Sequence, residues 1–430
     1  MKAKKMFLMA LMLCSSGFAL QDSLAEKGDN DEKKIDEKSF LETKKTVDKL
    51  KKLKISGYVQ AQMRIATDAE ESGEKNYKIG KFQGGELPAN SQSVFQIRRG
   101  RIKVAYQASY SQAVIQLDCV PSGVSIKDAY LRFSAPWLYG FGFKAGVFDR
   151  PFGFEISYSS STRESPERSR IFQTLFPGER DMGASVEYVP SSNYSSWAQL
   201  FNLKFGVFAG NGINNESDDV RDLIGRFGLS FPFKDIDLAI NAGFSGYAGA
   251  VKSLNDTIKV ISGTDWTDRD AQRNKEIKRL YSGGDLQINY GSIPVLGQLS
   301  LRAEVIGGQQ PGRAKSNQSP KSSSPDASAI YIRDFIGFYG MAVLNIDPIK
   351  CQLVGKYDYF DPNVDLEKST VKSEADVSFK TLGLGLVYQW DENVKIMAYH
   401  DWVTNEKTSI EPYRKDLKDN VFTLRFQYKF

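Results

Sequence analysis

The chain has 430 residues, of which 41% are hydrophobic and 12% aromatic, and its formal net charge is +5. Only about +1 of that charge lies beyond residue 54, so the bulk charge does not indicate a basic surface for nucleic acid. One histidine, His400, and two cysteines beyond residue 25 leave little material for a metal site, a histidine-activated nucleophile or a disulfide scaffold. We therefore expect no cofactor, no metal and no enzymatic activity.

The N-terminus has the layout of a secretory signal peptide. Residues 1–5 are cationic, residues 6–13 are apolar, and small residues around Ala19 and Ala25 offer two cleavage sites. The apolar run is shorter than the ~20 residues that a membrane-spanning helix needs. Cys14 follows Leu13, where a lipoprotein signal would have a small residue, so we reject lipidation. Residues 1–25 are interpreted as a cleaved signal peptide.

The next segment, residues 26–54, is rich in lysine and acidic side chains. Phe40, Val47 and Lys54 follow one another at heptad spacing, and Leu50 lies three residues after Val47. Coiled coils usually need more heptads than this short segment offers. A short periplasmic helix or weak coiled coil and a solvated tether both remain open.

Beyond residue 54 the hydrophobic period changes to two, which is typical of strands with one apolar face. In the last segment Phe422, Leu424, Phe426, Tyr428 and Phe430 alternate with polar residues. We predict about sixteen such strands. They occupy residues 55–66, 93–108, 111–119, 126–134, 141–149, 182–190, 197–209, 221–232, 237–250, 278–290, 297–308, 330–346, 350–360, 377–390, 393–405 and 419–430.

The connections between these strands alternate in length. Counted from the N-terminus, the odd connections are mostly long, with 120–125 as the short exception, whereas the even ones are brief turns such as 345–349. Outer-membrane barrels have long outer loops and short periplasmic turns. A soluble sandwich has no reason to alternate its loops in this way, so the pattern favours a membrane barrel.

The membrane also requires the sheet to close into a barrel. An open sheet in hydrocarbon would leave unpaired N–H and C=O groups, so the last strand has to pair with the first. The aromatic Phe430 on an alternating strand also resembles the signal that the outer-membrane assembly machinery reads. The predicted fold is therefore all-β: a transmembrane antiparallel barrel over residues 55–430 in the bacterial outer membrane, preceded by the periplasmic helical or tether segment.

A series of motifs between residues 95 and 183 is more specific. The stretches read FQIRRGRI from Phe95, IKDAYL from Ile126, GVFDRPFG from Gly146, SPERS from Ser165 and FPGERDMG from Phe176. In this order and spacing they resemble the phosphate-selective porin O and P family. The resemblance implies a sixteen-stranded porin, a homotrimer in outer-membrane lipid, that passes small anions such as phosphate or pyrophosphate.

The first candidates for the pore lining lie on the second predicted strand. Arg99, Arg101 and Lys103 share one face with residues 95 and 97, whereas Arg98 falls on the opposite face, near a rim. A charged side chain facing lipid at mid-membrane is costly, so the three shared cations are expected to face water. The same alternation gives four further candidates: Lys144, Arg226, Arg302 and Arg425.

The second group of candidates lies on the connection 150–181, which follows the fifth strand, where porins commonly fold a loop into the lumen. Its arginines are Arg150, Arg163, Arg168, Arg170 and Arg180. Five acids on the same connection balance them, so these arginines either select anions or pair with the acids to hold the loop's shape. Cations at a constriction lower the barrier for anions, and guanidinium groups bind phosphate in a bidentate manner.

The predicted function is passive diffusion of small hydrophilic solutes, with anions such as phosphate or pyrophosphate as the expected cargo. A general or sugar-conducting porin remains open because the chain has 20 Tyr and 27 Phe, although most of these fit lipid-facing positions. A non-conducting outer-membrane barrel that binds or adheres through its long loops is a further alternative. An outer-membrane hydrolase would need a serine and an acid beside His400, and no such pattern surrounds it.

Overall fold

The computed structural model describes residues 37–68, 79–88, 91–190, 197–214, 219–294, 296–319 and 329–430. The predicted signal peptide lies outside these described residues. The chain divides into two units, the first ending at Lys51 and the second running from Lys52 to Phe430. None of the described helices is both long and apolar enough to cross a membrane.

The described part of the first unit is one helix, α1, over Glu37–Lys51. Phe40, Val47 and Leu50, which occupy the heptad positions, are 58%, 42% and 60% exposed. Of the alternatives left open for residues 26–54, the short helix is confirmed over Glu37–Lys51, and the weak coiled coil stays a prediction.

The second unit contains eighteen strands within the described ranges, and sixteen of them form the barrel. The barrel strands are β1 (Leu53–Ala66), β2 (Ser93–Gln107), β3 (Ser111–Val120), β4 (Gly123–Ser134), β5 (Phe141–Asp149), β6 (Arg180–Tyr188), β7 (Phe201–Phe208), β8 (Asp222–Phe233), β9 (Leu238–Lys252), β12 (Glu276–Ile293), β13 (Gly297–Gly312), β14 (Tyr331–Ile346), β15 (Cys351–Asp361), β16 (Phe379–Gln389), β17 (Val394–Asn405) and β18 (Val421–Lys429). The other two, β10 (Thr257–Ser262) and β11 (Asp265–Asp270), form a hairpin in the long connection between β9 and β12.

The barrel closes at β1, which pairs antiparallel with both β2 and β18. Tyr58 lies opposite Lys429, and beyond that pair Gly57 and Phe430 exchange two backbone hydrogen bonds of 2.9 and 3.0 Å. Closure gives the backbone groups of both edge strands their partners, which hydrocarbon could not supply. The prediction of a closed sixteen-strand antiparallel barrel is confirmed.

Alternation along the strands sorts side chains between the two surfaces of the barrel. On β18, Phe426 and Tyr428 are about half exposed, whereas Arg425 and Gln427 between them are buried. Large apolar side chains face outward on other strands too, as Leu384 does on β16. Such an outer surface suits hydrocarbon, and it leaves the polar residues to the inside.

One strand departs from simple alternation. Between β1 and β2 the register shifts, so that Gln60 pairs with Arg99 while Ala61 pairs with Ile97. Arg98 is therefore the extra residue of a β-bulge, which re-aims the side chains around it. The bulge leaves Ile97 outside and turns both Arg98 and Arg99 inward. The predicted common face of residues 95 and 97 with Arg99 is wrong, and so is the placement of Arg98 on the opposite face.

The connection between β5 and β6, residues 150–179, lies inside the barrel and is called the lumen loop. It reaches opposite walls: the Gly153 N–H donates to Ser245 of β9 at 2.9 Å, and Ser160 shares a 2.6 Å hydrogen bond with Tyr58 of β1. The loop includes a short helix, α2 (Arg170–Leu175). Its apolar side chains pack on inward-facing aromatic and aliphatic residues of the wall. The buried loop members are Phe152, Ile156, Ile171, Phe172, Leu175 and Phe176.

Candidate functional site

The lumen loop is fixed near its start by Glu304 of β13. This carboxylate accepts hydrogen bonds from the backbone N–H groups of Phe154 (2.7 Å) and Glu155 (2.6 Å), and from the hydroxyl of Tyr339 (2.6 Å). Gly153 has φ +61°, and a Cβ at this position would lie 2.3 Å from a Glu304 carboxylate oxygen. Only glycine therefore allows the loop to approach the wall this closely without strain.

Two acids of the lumen loop pair with cations of the wall. Glu155 accepts from the ammonium of Lys356 at 2.7 Å, and Glu164 binds the guanidinium of Arg302 at 2.8 and 3.1 Å. Burial raises the pKa of Glu155, but the nearby ammonium of Lys356 outweighs it and holds the pKa below its ordinary value. These pairs attach the loop to β13 and β15.

Glu167 is the centre of a larger group, the Glu167 cluster, which also contains Arg98, Arg99, Arg163 and Arg425. The guanidinium nitrogens of Arg98, Arg99 and Arg425 lie 2.9, 2.6 and 3.0 Å from its carboxylate oxygens, and that of Arg163 lies at 4.0 Å. Burial raises the pKa of Glu167, but the four arginines together hold it well below its ordinary value. Four guanidinium groups around one carboxylate give the cluster a net positive charge.

Two predicted arginines hold the shape of the lumen loop itself. Arg163 donates to the carbonyl groups of residues 165 and 166, at 3.2 and 3.1 Å. Arg168 donates to the carbonyls of residues 155, 156 and 158, at 2.7, 2.9 and 3.0 Å, and forms an ion pair with Glu179. Both side chains are almost fully buried, which matches the alternative that these charges serve the loop's conformation.

The candidates on the neighbouring wall have different surroundings. Arg180 binds Asp128 and Glu179, both at 3.0 Å, and Arg101 binds Asp118 at 3.4 Å. Lys103 is half-buried and has no hydrogen bond or ion pair within the described part of the chain.

Arg150 and Arg170 have no ion pair among the residues described. Arg150 donates to the carbonyls of Glu179 (3.4 Å) and Pro177 (3.3 Å). Arg170 lies between two aromatic rings, with its guanidinium carbon 4.2 Å from the centre of Phe82 and 3.7 Å from that of Phe379. The structure thus brings Arg99 and Arg163 together at Glu167, places Arg101 and Arg180 on the wall, and separates Arg170 from them.

A cavity of about 310 Å³ lies between the start of the lumen loop and the wall from β6 to β12. Its charged lining residues are Asp149, Arg150, Glu187, Lys204 and Arg226. This space is the candidate constriction, because the lumen loop bounds it on one side and charged and polar side chains of the wall bound it on the other.

The charges around the candidate constriction are unevenly paired. Arg226 binds Asp285 at 2.6 Å, while Asp149 and Glu187 lie 3.5 and 3.8 Å from Lys144. By contrast, neither Lys204 nor Arg150 forms an ion pair with any described residue. The two charged side chains of this cavity that lack an ion pair with described residues are therefore both cations.

Lys204 was missed by the sequence reasoning, although its strand carries the necessary signal. Its neighbours Leu203 and Phe205 are 39% and 49% exposed on the outer face, and the lysine between them points inward. Period-two alternation along β7 would have identified it. No sequence pattern indicates that four arginines surround Glu167. Three of them lie far from it along the chain, Arg98 and Arg99 on β2 and Arg425 on β18.

His400 offers no support for hydrolase chemistry. Its Nε2 lies 3.0 Å from the hydroxyl of Thr67, and its ring centre lies 4.1 Å from that of Trp402. Its Nδ1 has no hydrogen-bond partner among the described residues, so the histidine–acid pair of a serine hydrolase is not formed there. Cys119 and Cys351 are free thiols.

Comparison with solved structures places this barrel among outer-membrane porins by fold. The chain is similar to the anion-selective porin from Comamonas acidovorans, with a TM-score of 0.51 and 11% identity over 88% of this chain and 99% of that one. It is also similar to the outer membrane channel DcaP of Acinetobacter baumannii, with a TM-score of 0.50 and 10% identity over 88% of this chain and 97% of that one. No family model and no curated protein matches the sequence significantly. The chain thus has the porin fold.

Proposed function

We propose that this chain is an outer-membrane porin through which small hydrophilic solutes diffuse passively, with a preference for anions such as phosphate or pyrophosphate. The observation that carries the proposal is the pairing of charges at the candidate constriction, where Lys204 and Arg150 form no ion pair with any described residue. Cations along a narrow aqueous path lower the barrier for anions. Arginine adds the planar donor geometry that suits phosphate oxygens.

Two further observations support the anion preference. The motifs between residues 95 and 183 resemble those of the phosphate-selective porin O and P family. One porin of similar fold, that of Comamonas acidovorans, is itself anion-selective. In the proposed setting the chain is exported through its signal peptide and assembles as a homotrimer in outer-membrane lipid.

The lumen loop narrows the path in this proposal. Its apolar side packs on the wall, and its ion pairs with β2, β13, β15 and β18 keep it there. Solutes then pass along the cavity that Lys204 lines. Arg99, Arg163 and Arg168 act as positioning residues for the loop. Lys103 contributes positive charge to the wall, whereas the charges of Arg101 and Arg180 are offset by their ion pairs with acids of the wall and the loop.

The test is planar-bilayer recording of the purified protein in a KCl gradient. A unit charge about 8 Å from the path changes the energy of a monovalent ion in water by about 0.5 kcal/mol, which is roughly a factor of two in permeability. The same charge disfavours a cation by as much as it favours an anion, so Lys204→Gln should lower the anion-to-cation permeability ratio about fourfold. The matched control is Lys234→Gln, which removes the same charge from an exposed position in a short turn between β8 and β9.

Each outcome separates the alternatives. A protein that forms no discrete channels is not a porin, and the non-conducting binding barrel then gains support. A reversal potential that shows cation preference overturns the anion hypothesis and leaves the porin. Equal shifts in Lys204→Gln and Lys234→Gln would mean that Lys204 has no special place on the path.

A further inference from the structure

A second cavity lies at the end of the barrel that carries the long connections. It has a volume of about 210 Å³ and is called the loop-end cavity. Its walls come from residues 81–83, α2, residues 315–318, residues 374–379 and residues 413–419. These stretches follow β1, β5, β13, β15 and β17, which all end at the same rim. At about 30 Å³ per water, the volume equals that of about seven water molecules, which is enough for a small organic solute.

The unusual group in this cavity is Arg170. Its side chain is only 7% exposed, yet it makes no hydrogen bond or ion pair with any residue that the structure describes, and its Nε is fully buried. The rings of Phe82 and Phe379 hold the guanidinium from two sides, so its orientation is fixed. Two other buried arginines of the lumen loop, Arg163 and Arg168, differ from Arg170 because both donate to backbone carbonyls. A buried cation that leaves its donors unused is costly unless a further acceptor meets it.

The other polar groups of the cavity indicate what such an acceptor would also have to offer. Glu374 and Asp419 line the cavity with carboxylate side chains. Carboxylate oxygens accept hydrogen bonds from donors such as the hydroxyl groups of a solute. The cavity therefore combines one fixed cation with acceptors for hydroxyl hydrogens.

Charge and apolar surface narrow the class of solute. Lys81, Arg170 and Lys315 line the cavity together with Glu374 and Asp419, so cations and carboxylates share its wall. Aromatic rings complete the wall, and they suit the C–H faces of a sugar ring better than they suit a fully hydrated inorganic ion.

We infer that the loop-end cavity is a binding site for a small hydroxylated carboxylate of the sugar-acid class. The carboxylate pairs with Arg170, and the hydroxyl groups donate to Asp419 and Glu374. This inference goes beyond the proposed porin activity, because binding at this rim does not require conduction.

The test is isothermal titration calorimetry on the full purified chain in detergent, with D-glucuronate, D-glucose and inorganic phosphate as probes. We expect D-glucuronate to bind, and both of the other probes to bind at least about tenfold more weakly. D-glucose lacks the carboxylate, and inorganic phosphate lacks the hydroxylated ring. Arg170→Gln should weaken D-glucuronate binding at least about tenfold. The matched control is Arg269→Gln, which removes an exposed arginine of β11 outside the cavity and should leave the affinity unchanged.

A second variant keeps the test decisive if Arg170→Gln is poorly folded. Asp419→Ala removes a hydroxyl acceptor, and the negative charge that it also removes acts on any carboxylate ligand alike. The affinity for D-glucuronate should therefore fall relative to that for propionate, a carboxylate without hydroxyl groups.

Several results would overturn the inference: no binding of D-glucuronate, equal affinities in Arg170→Gln and Arg269→Gln, equally tight binding of D-glucose, or phosphate as strong as D-glucuronate. Channels that form and select anions without D-glucuronate binding would overturn this inference alone, whereas binding without channels would overturn the porin proposal alone.

Discussion

The Glu167 cluster gives the sharpest test of how the lumen loop is held. In Glu167→Gln the side chain keeps its size but loses its charge, and four guanidinium groups lose their shared carboxylate. Arg163 and Arg425 are each 2% exposed, so water does not screen their repulsion in the folded loop. We expect the loop to leave its place while the barrel stays closed, because the backbone pairing of the strands does not depend on this carboxylate.

The magnitude follows from the burial of the cluster. Removing one partner of a buried ion pair costs about 3–5 kcal/mol. The amide of glutamine still accepts a hydrogen bond from one guanidinium, which offsets about 1 kcal/mol. The net cost of about 2–4 kcal/mol corresponds to a roughly 30-fold to 1000-fold larger population of the displaced loop.

Limited trypsin digestion measures that population. Arg168 and Arg170 are buried cleavage sites in the lumen loop, so cleavage there requires the loop to open. When opening and reclosing are fast, the cleavage rate follows the open population and should rise by about the same factor. Mass spectrometry quantifies the cut, and heat-modifiable electrophoretic mobility reports that the barrel is intact.

The control for this prediction is Glu392→Gln, which removes an exposed carboxylate in a short turn. Its loop cleavage should match that of the unmodified chain. If Glu167→Gln is cleaved no faster than Glu392→Gln, the Glu167 cluster does not hold the loop, and the reasoning is refuted.

Two further predictions concern the same loop. Gly153→Ala should destabilise the attached loop by about 1–3 kcal/mol, because the left-handed backbone is strained and the new Cβ meets Glu304. In the control, Gly178→Ala at φ +74°, no atom lies within 4 Å of the new Cβ, so only the backbone strain is added. Equal trypsin cleavage of the two variants would contradict this prediction. Acid should release the loop only below the ordinary carboxylate pKa of 4.5, because Glu155 and Glu167 have lowered pKa values in the fold. Their stabilisation is present above that pH and is lost as the pH falls toward the folded values, so bilayer current noise that already rises at about pH 6 would argue against it.

The strand plan was predictable because it depends on a local and repeated signal. Each barrel strand places apolar residues at every second position, as Phe426 and Tyr428 show, and its ends coincide with a change to polar connections. The rhythm of long and short connections then separated a membrane barrel from a soluble sheet. The hairpin of β10 and β11 was not predicted, because it interrupts one long connection and its pairing with the barrel, Lys259 opposite Tyr331 of β14, joins segments that are far apart in the sequence.

The site was less predictable, because it depends on register and on contacts between distant segments. Strict alternation assigns Arg98 and Arg99 to opposite faces, and the single bulged residue brings both to Glu167. The partner of Arg425 is likewise 258 positions away along the chain. Neither the bulge nor this pairing has a signature in residue types. The sequence therefore identified the cations but did not show which of them form ion pairs with loop acids.

The pairing pattern explains how a nearly neutral barrel could prefer anions. The loop acids Glu155, Glu164 and Glu167 are engaged by wall cations, so they fasten the loop and contribute little negative potential to the path. Lys204 has no such engagement, and its charge is available at the candidate constriction. Selectivity in this chain would thus depend on which charges the loop uses for its own attachment, because a loop that also bound Lys204 would reduce the positive charge along the path. Releasing the loop should therefore change conductance and selectivity together.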